Sequence, residues 1–199
     1  MPNYEYENQL LEKGFSVVAG TDEAGRGPLA GDVFAAAVIL PAGLVIEGLD
    51  DSKKLTDKKR DMLYEVIKKE AISYAVATAS VEEIETINIL NAAQLAMRRA
   101  VAMLDPCPDA VLVDGNVARE FPMHAQTLVK GDSKSMSVAA ASILAKVERD
   151  RYMEELDKQY PQYAFAKHKG YSTKLHMDIL RELGPSPVHR KSFLKFLNK

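Results

Sequence analysis

The sequence predicts an α/β body with a basic C-terminal cap. Two observations carry this. Apolar runs of strand length alternate with longer stretches of helical period, and charge is distributed unevenly along the chain. At 199 residues the chain has room for one domain with a sizeable core. We read that domain as residues 1–199, with a core over about 15–160 and a basic, helical C-terminal part over about 161–199.

Phe15–Ala19 (FSVVA) is a short apolar run and a candidate buried strand. GTDEAGRGPLAG follows, and its Gly20, Gly25, Gly27, Pro28 and Gly31 predict a loop. Asp32–Leu40 is a second apolar strand ended by Pro41, and the short connection predicts an antiparallel pair. Thr56 is placed to cap a helix over Asp57–Ala71, with Leu63, Val66 and Ile67 on its buried face. Ile72–Ser80 alternates as a third strand. Val81–Leu104 has helical period through Leu90, Met97, Val101 and Leu104, and Asp105-Pro106 and Pro108 end it. Ala110–Asp114 reads as a fully buried strand and Ala125–Val129 as a fifth. A long helix is predicted over about Ser137–Tyr160, with Tyr152, Leu156 and Tyr160 at four-residue spacing. Beyond Pro161 come a loop, a short helix near Thr173–Leu183, the breaker GPSP and a terminal helix around His189–Leu197.

Composition excludes several classes. Net charge is -2, so any nucleic acid must be held by a local patch rather than by a global field. Such a patch exists: Lys167–Lys199 holds 8 Lys and Arg against 2 Asp and Glu, a balance of +6 that leaves -8 for the rest. The single Cys107, between two prolines, allows no intrachain disulfide and no thiolate zinc site, and reads as structural. The N-terminus MPNYEYENQL has no apolar signal core, and no run approaches membrane-spanning length. The expectation is a cytoplasmic protein, with nothing that demands more than a monomer.

Three predicted strands lead into acids. Asp22 and Glu23 follow FSVVAGT, Asp114 follows AVLV, and Asp132 follows AQTLVKG. Strand ends in α/β sheets are where ligands sit. Four carboxylates brought together repel one another, and a divalent cation removes that conflict. Oxygen donors without His or Cys suit Mg²⁺ or Mn²⁺. Two such ions suit phosphodiester hydrolysis, one activating water and the other stabilising the leaving oxygen. For any one acid alone the plainer reading is a turn former or helix cap, Asp132 before SKS above all. Neighbouring strand residues also point to opposite faces, so Asp22 and Glu23 converge only if the chain turns there.

The glycine-rich segment is either a plain connection or a place where a nucleic-acid backbone approaches closely, with Arg26 reaching a phosphate. It matches neither a phosphate-binding Walker loop nor a dinucleotide fingerprint. Tyr171 among Lys167, His168, Lys169 and Lys174 is either a core aromatic beside a solvated basic face or a ring that packs on a sugar-phosphate. Asp50 and Asp51 read as solvated loop charges.

Taken in order, AGTDEAGRGPLAG, DDSKKLT, VLVDGN, KGDSKSMSVAAASILAKVERDRYM, HKGYSTKLH and GPSPVHRKSF resemble ribonuclease HII, the type 2 ribonuclease H of bacteria, from about Val18 to Phe193. The resemblance implies a ribonuclease H-like mixed sheet flanked by helices, with a C-terminal helical cap. It places the family's four acidic positions on Asp22, Glu23, Asp114 and Asp132, as ligands of Mn²⁺ or Mg²⁺, with two ions during catalysis. It implies hydrolysis of the RNA strand of RNA–DNA hybrids. It also implies cutting 5′ of ribonucleotides embedded in duplex DNA, leaving 3′-hydroxyl and 5′-phosphate. Gly25, Arg26 and Gly27 match the family's junction reader, Tyr171 its sugar-packing ring, and Lys53 and Lys54 a basic loop for phosphate. Asp32 departs from the pattern, since relatives often carry Pro there. The family's type HIII enzymes carry an extra N-terminal domain, and the sequence shows no match to one. The other readings are a different metal-dependent nuclease of similar fold, cutting all-DNA duplex, and a non-catalytic module that binds duplex through the basic cap.

Overall fold

A computed structural model describes residues 1–50 and 52–198, apart from the side chains of Lys53 and Asn198. The strands are β1 (Val18–Ala24), β2 (Val33–Ile39), β3 (Ser73–Ala79), β4 (Ala110–Asp114) and β5 (His124–Leu128). The helices are α1 (Glu5–Glu12), α2 (Asp57–Glu70), α3 (Val81–Ala102), α4 (Met136–Gln159), α5 (Phe165–His168) and α6 (Lys174–Leu183). The strands form one sheet in the order β3-β2-β1-β4-β5. β1–β2 and β2–β3 pair antiparallel, while β1–β4 and β4–β5 pair parallel, so the sheet is mixed.

Helices cover both faces. Ala19, Ala35, Ala37 and Val111 pack with Ala92, Ala96, Met97 and Val101 of α3. Ala36 and Val38 pack with Leu63 and Ile67 of α2 and with Ala140, Ile143 and Leu144 of α4. Each fully buried Val, Leu, Ile or Met contributes about 1.5–3 kcal/mol. The alanine-rich strands and helices let backbones approach closely. The tightest approach is at Gly20, where a Cβ would overlap the main chain of Ser137 and Val138 on α4.

Local signals explain the helix starts. The Thr56 hydroxyl accepts from the Lys59 amide at 3.3 Å, as its N-cap position predicts. Ser80 and Glu83 form a reciprocal capping box on α3. Ser135, not Asp132, caps α4, accepting from the Val138 amide at 3.1 Å.

Several expectations are corrected. β1 runs through to Ala24, so the first half of the glycine-rich segment is strand, and Asp22 and Glu23 lie within it. Val66 is exposed, and Arg60 and Tyr64 take its place on the buried face of α2. α3 breaks helical geometry at Asn88 (φ 65°), which leaves Leu90 only half-buried. The terminal helix is replaced by 3-10 turns at Lys191–Phe193 and Lys195–Asn198. Its start is tied down elsewhere, because the Arg190 amide donates to the Leu29 carbonyl at 2.8 Å. Cys107 is a free, exposed thiol. Asp50 pairs with Lys54 at 3.1 Å, and Asp51 lies outside the described residues. Asp32 accepts from the Val81 amide at 3.0 Å and so helps begin α3. No described helix is long and apolar enough to cross a membrane.

The C-terminal part has its own apolar cluster. Tyr163, Phe165, Leu180 and Leu194 pack against Leu29, Ala30, Met153 and Leu156. It therefore sits on the second half of α4 and on the loop between β1 and β2.

Candidate active site

Asp22 and Asp114 meet because β1 and β4 are parallel neighbours. Thr21 pairs with Val113, and carrying that register one residue further sets Asp114 beside Asp22. Adjacent strands lie about 4.8 Å apart, and residues in register share a face. Asp22 is 5% exposed. Its face is the α4 face, where the Ser142 hydroxyl bonds to its carboxyl. Ser142 in turn shares a 2.9 Å hydrogen bond with Ser52.

Burial raises the Asp22 pKa well above the usual carboxylate range, and the charges of Glu23 and Asp114 add to it. The Ser142 hydroxyl and the Glu23 amide, which donates to Asp22 Oδ1 at 2.7 Å, oppose the rise without cancelling it. Glu23 follows Asp22 on the strand yet lines the same cleft, because β1 ends at Ala24 and the chain turns away.

Asp132 is buried in a 3-10 turn, Gly131–Ser133, just past β5. It reaches the neighbourhood of Asp114 through its chain neighbour, since the Gly131 amide donates to Asp114 Oδ1 at 2.6 Å. Neither Asp132 nor Asp114 is among the residues that line the cleft with Asp22 and Glu23. Among the described residues, no three His, Cys, Asp or Glu side chains stand together as a ready metal cage. The donors have protein partners as well: the Glu23 amide donates to Asp22, Arg26 holds Glu23 at 3.2 Å, and the Gly131 amide holds Asp114. The donor set itself is all hard oxygen, with no His or Cys in the cleft lining, which is the chemistry Mg²⁺ and Mn²⁺ take.

The cleft has a volume of about 520 Å³ and is lined by Asp22, Glu23, Gly25–Gly27, Ser52, Ser142, Lys146 and Tyr171, with Ile89 and Phe193 at its rim. Gly25, Arg26, Gly27 and Tyr171 thus join Asp22 and Glu23 in one cavity. Tyr171 is 41% exposed. Lys146 Nζ and Arg149 Cζ lie 5.8 and 5.7 Å from its ring centroid. Lys54 sits in the 3-10 turn Ser52–Lys54, paired with Asp50, outside the cleft lining. The expectation for Lys53 concerns a side chain outside the described ones.

Two buried arginines hold the glycine loop, and sequence reading missed both. Arg190 is fully buried. Its Nε donates to Gly31 O (2.8 Å), Nη1 to Pro28 O (2.9 Å) and Arg26 O (3.1 Å), and Nη2 to Gly25 O (2.7 Å). A trans peptide points its C=O and N–H in opposite directions. Drawing the Gly25 and Arg26 carbonyls onto Arg190 therefore turns the Arg26 and Gly27 amides away from it. Arg149 donates to the Ala30 and Lys169 carbonyls at 3.2 and 3.0 Å. A Cβ at Gly25, whose φ is +98°, would overlap the Arg149 guanidinium, so only glycine fits there. The available signal was Arg149 itself, a charge set between buried Ala145 and Met153 on one helix face.

The basic cap is accordingly not one solvated face. Arg190 is structural, Lys169 pairs with Glu154, and Lys174 and Arg181 both pair with Asp178.

A model of the ribonuclease HII family matches residues 19–196. The ribonuclease HII of Caldicellulosiruptor saccharolyticus is 53% identical over 192 residues, covering 96% of this chain and 94% of that one. That of Vibrio campbellii is 53% identical over 193 residues, covering 97% and 89%. The crystal structure of ribonuclease H2 from Pyrococcus horikoshii OT3 superposes with a TM-score of 0.73 at 25% identity, covering 92% of this chain and all of that one. Sequence likeness over nearly the whole length and the same sheet-and-helix architecture agree, and the chain belongs to the ribonuclease HII family of endoribonucleases, which act on RNA–DNA hybrids.

Proposed function

We propose that this chain hydrolyses the RNA strand of RNA–DNA hybrids and also cuts 5′ of ribonucleotides embedded in duplex DNA, leaving 3′-hydroxyl and 5′-phosphate. Asp22, Glu23, Asp114 and Asp132 would hold divalent metal, Mn²⁺ or Mg²⁺. The observation that carries the reading is Asp22, closed off from water beside two like charges. A stability-driven sequence has no use for that arrangement, whereas a cation relieves it. When bound, two ions supply an activated water and charge stabilisation at the leaving oxygen.

The chain's own residues do the rest. Ser142 orients the Asp22 carboxyl. Glu23 would hold the metal in place of Arg26, leaving the Arg26 guanidinium for a substrate phosphate. The Arg26 and Gly27 amides, turned away from Arg190, face a backbone lying across the loop. A main-chain donor there reads the 2′-hydroxyl that separates RNA from DNA. The Tyr171 ring packs on the sugar at the RNA–DNA step, and Lys53 and Lys54 contact phosphate.

The test is a 5′-labelled duplex with one ribonucleotide, a long hybrid and an all-DNA duplex, each incubated with Mg²⁺ and with Mn²⁺. The expected result is a single cut 5′ of the ribonucleotide, cleavage along the hybrid and none in all-DNA. Cutting of all-DNA duplex would instead favour a DNA nuclease.

A further inference from the structure

Beneath Tyr171 lies a chain of buried imidazoles that the hydrolytic site does not use. His176 and His189 are 0% and 1% exposed. Their Nε2 atoms are 2.9 Å apart. His176 Nδ1 lies 2.9 Å from the Tyr171 carbonyl, and His189 Nδ1 lies 3.0 Å from the Ser186 amide and 2.7 Å from its hydroxyl.

The proton positions follow from one fixed donor. The Ser186 amide can only donate, so His189 Nδ1 accepts. Neutral His189 then carries its proton on Nε2 and donates to His176 Nε2. Neutral His176 must carry its own on Nδ1 and donate to the Tyr171 carbonyl. Each tautomer dictates the next, and the direction of the chain is set. The neighbouring His168 obeys the same logic. Its Nδ1 accepts from the Gly170 amide at 3.2 Å, and its Nε2 donates to the Tyr163 carbonyl at 2.8 Å. The His168 and His176 rings stack at 4.1 Å.

The far end of the chain is as informative. His189 is followed by Arg190, whose guanidinium holds the Gly25, Arg26 and Pro28 carbonyls. The relay therefore runs from the main chain of Tyr171 to the residue beside the anchor of the glycine loop. It spans the two walls between which a sugar would lie.

We propose that the His176–His189 pair is a positioning relay, which sets Tyr171 against the Gly25–Gly27 loop and so determines selectivity for a ribonucleotide embedded in DNA. This rests on the sugar-packing role given to Tyr171 above. Neither histidine touches substrate; both act through the Tyr171 main chain. A long hybrid offers many cleavable steps and depends less on one ring's placement, so loss of the relay falls on the single-ribonucleotide substrate.

Two isosteres separate the relay from a merely structural role. His176→Asn places an amide nitrogen where Nδ1 stands and keeps the donor to Tyr171. His176→Gln reaches His189 but leaves the Tyr171 carbonyl without its donor. The readout is kcat and KM on the single-ribonucleotide duplex and on the long hybrid, with Tyr171→Ala as reference. H176Q is expected to lower the ratio of kcat/KM on the two substrates tenfold or more, H176N less than threefold, and H176Q/Y171A no further than Y171A alone. Equal losses on both substrates, or equal ratios for H176N and H176Q, would overturn the relay. So would a double variant whose losses multiply. If Y171A itself leaves the ratio unchanged, the sugar-packing role falls first. If Y171A shifts it and H176Q does not, only the relay falls. Should H176Q not fold, His176→Met keeps the side-chain length, also leaves the Tyr171 carbonyl without its donor, and is read in the same way.

Discussion

At the carboxyl ends of β1 and β4, Asp22 is buried beside the like charges of Glu23 and Asp114, answered among the described residues by Ser142 and one amide. Under the glycine loop, Arg190 is buried as deeply, but four carbonyls accept from it. The first arrangement raises the energy of the protein, a cost that the cation of the proposed reading would relieve. The second satisfies the charge within the fold and fixes a loop. Burial of charge by itself therefore says little about function. What separates the regions is whether the protein supplies the partners.

Removing each charge should have opposite consequences. Asp22→Asn keeps the shape and deletes a repelled carboxylate. Cleavage is expected to fall by about 10³-fold or more, the scale of losing a group that stabilises a transition state. The melting temperature should stay level or rise. Near-normal cleavage by D22N in either metal, or clear destabilisation, would erase the contrast. Arg190→Ala strands four carbonyls, three of them buried, and is expected to cost about 3 kcal/mol or more in denaturant unfolding. A loss below about 1 kcal/mol would mean those carbonyls find water instead.

Metal sharpens the comparison on one side only. Mn²⁺ should stabilise the wild type increasingly with concentration, by about 2.7 kcal/mol at a hundredfold excess over its dissociation constant, read as a rising melting temperature. D22N should respond far less. A wild-type melt indifferent to metal would favour a binding module over a hydrolase.

Acid separates the regions by slope. Burial lowers the pKa of His176 and His189 to about 4 each, from an ordinary 6.5. Between those values the unfolded chain binds more protons than the native one, so stability falls as pH drops from about 6.5 toward 4. Asp22 works the other way. Its raised pKa makes the native state the better proton binder above the ordinary carboxylate range, so it gains stability as pH falls. D22N should therefore steepen the acid loss seen in thermal melts, and an unchanged slope would discount the Asp22 shift. The smallest effect is expected at a cap remote from both regions. Thr56→Ala should cost about 1 kcal/mol in unfolding and leave cleavage untouched.

Much of this was legible from local chemistry. Ala110–Asp114 was read to the residue, because a short β-branched run between turn signals has one good solution. Thr56 was legible because a cap acts over three residues. α1 was missed, since an acidic N-terminus carries little apolar period, although buried Leu10 and Glu7 pin it. The glycine segment was read too broadly as loop. Gly20 is there so that α4 can touch β1, a contact invisible to composition. Counting Lys and Arg gave the cap a charge, but the count could not tell Lys174, which is exposed, from Arg190, which is not. Asp132 follows β5 in a 3-10 turn whose Gly131 amide donates to Asp114, a link that the sequence could not show.

The sequence by itself determined most strands and helices, Asp22 and Glu23 of the cleft lining, and the family, because periodicity, caps and motif order are local properties of the chain. Tertiary structure alone decided that Asp22 meets Asp114, that Arg190 and Arg149 grip the glycine loop, and that His176 and His189 share one proton chain. Those facts join residues up to 165 positions apart, and their energies come from burial and partner geometry, which exist only once the sheet and its helices have closed.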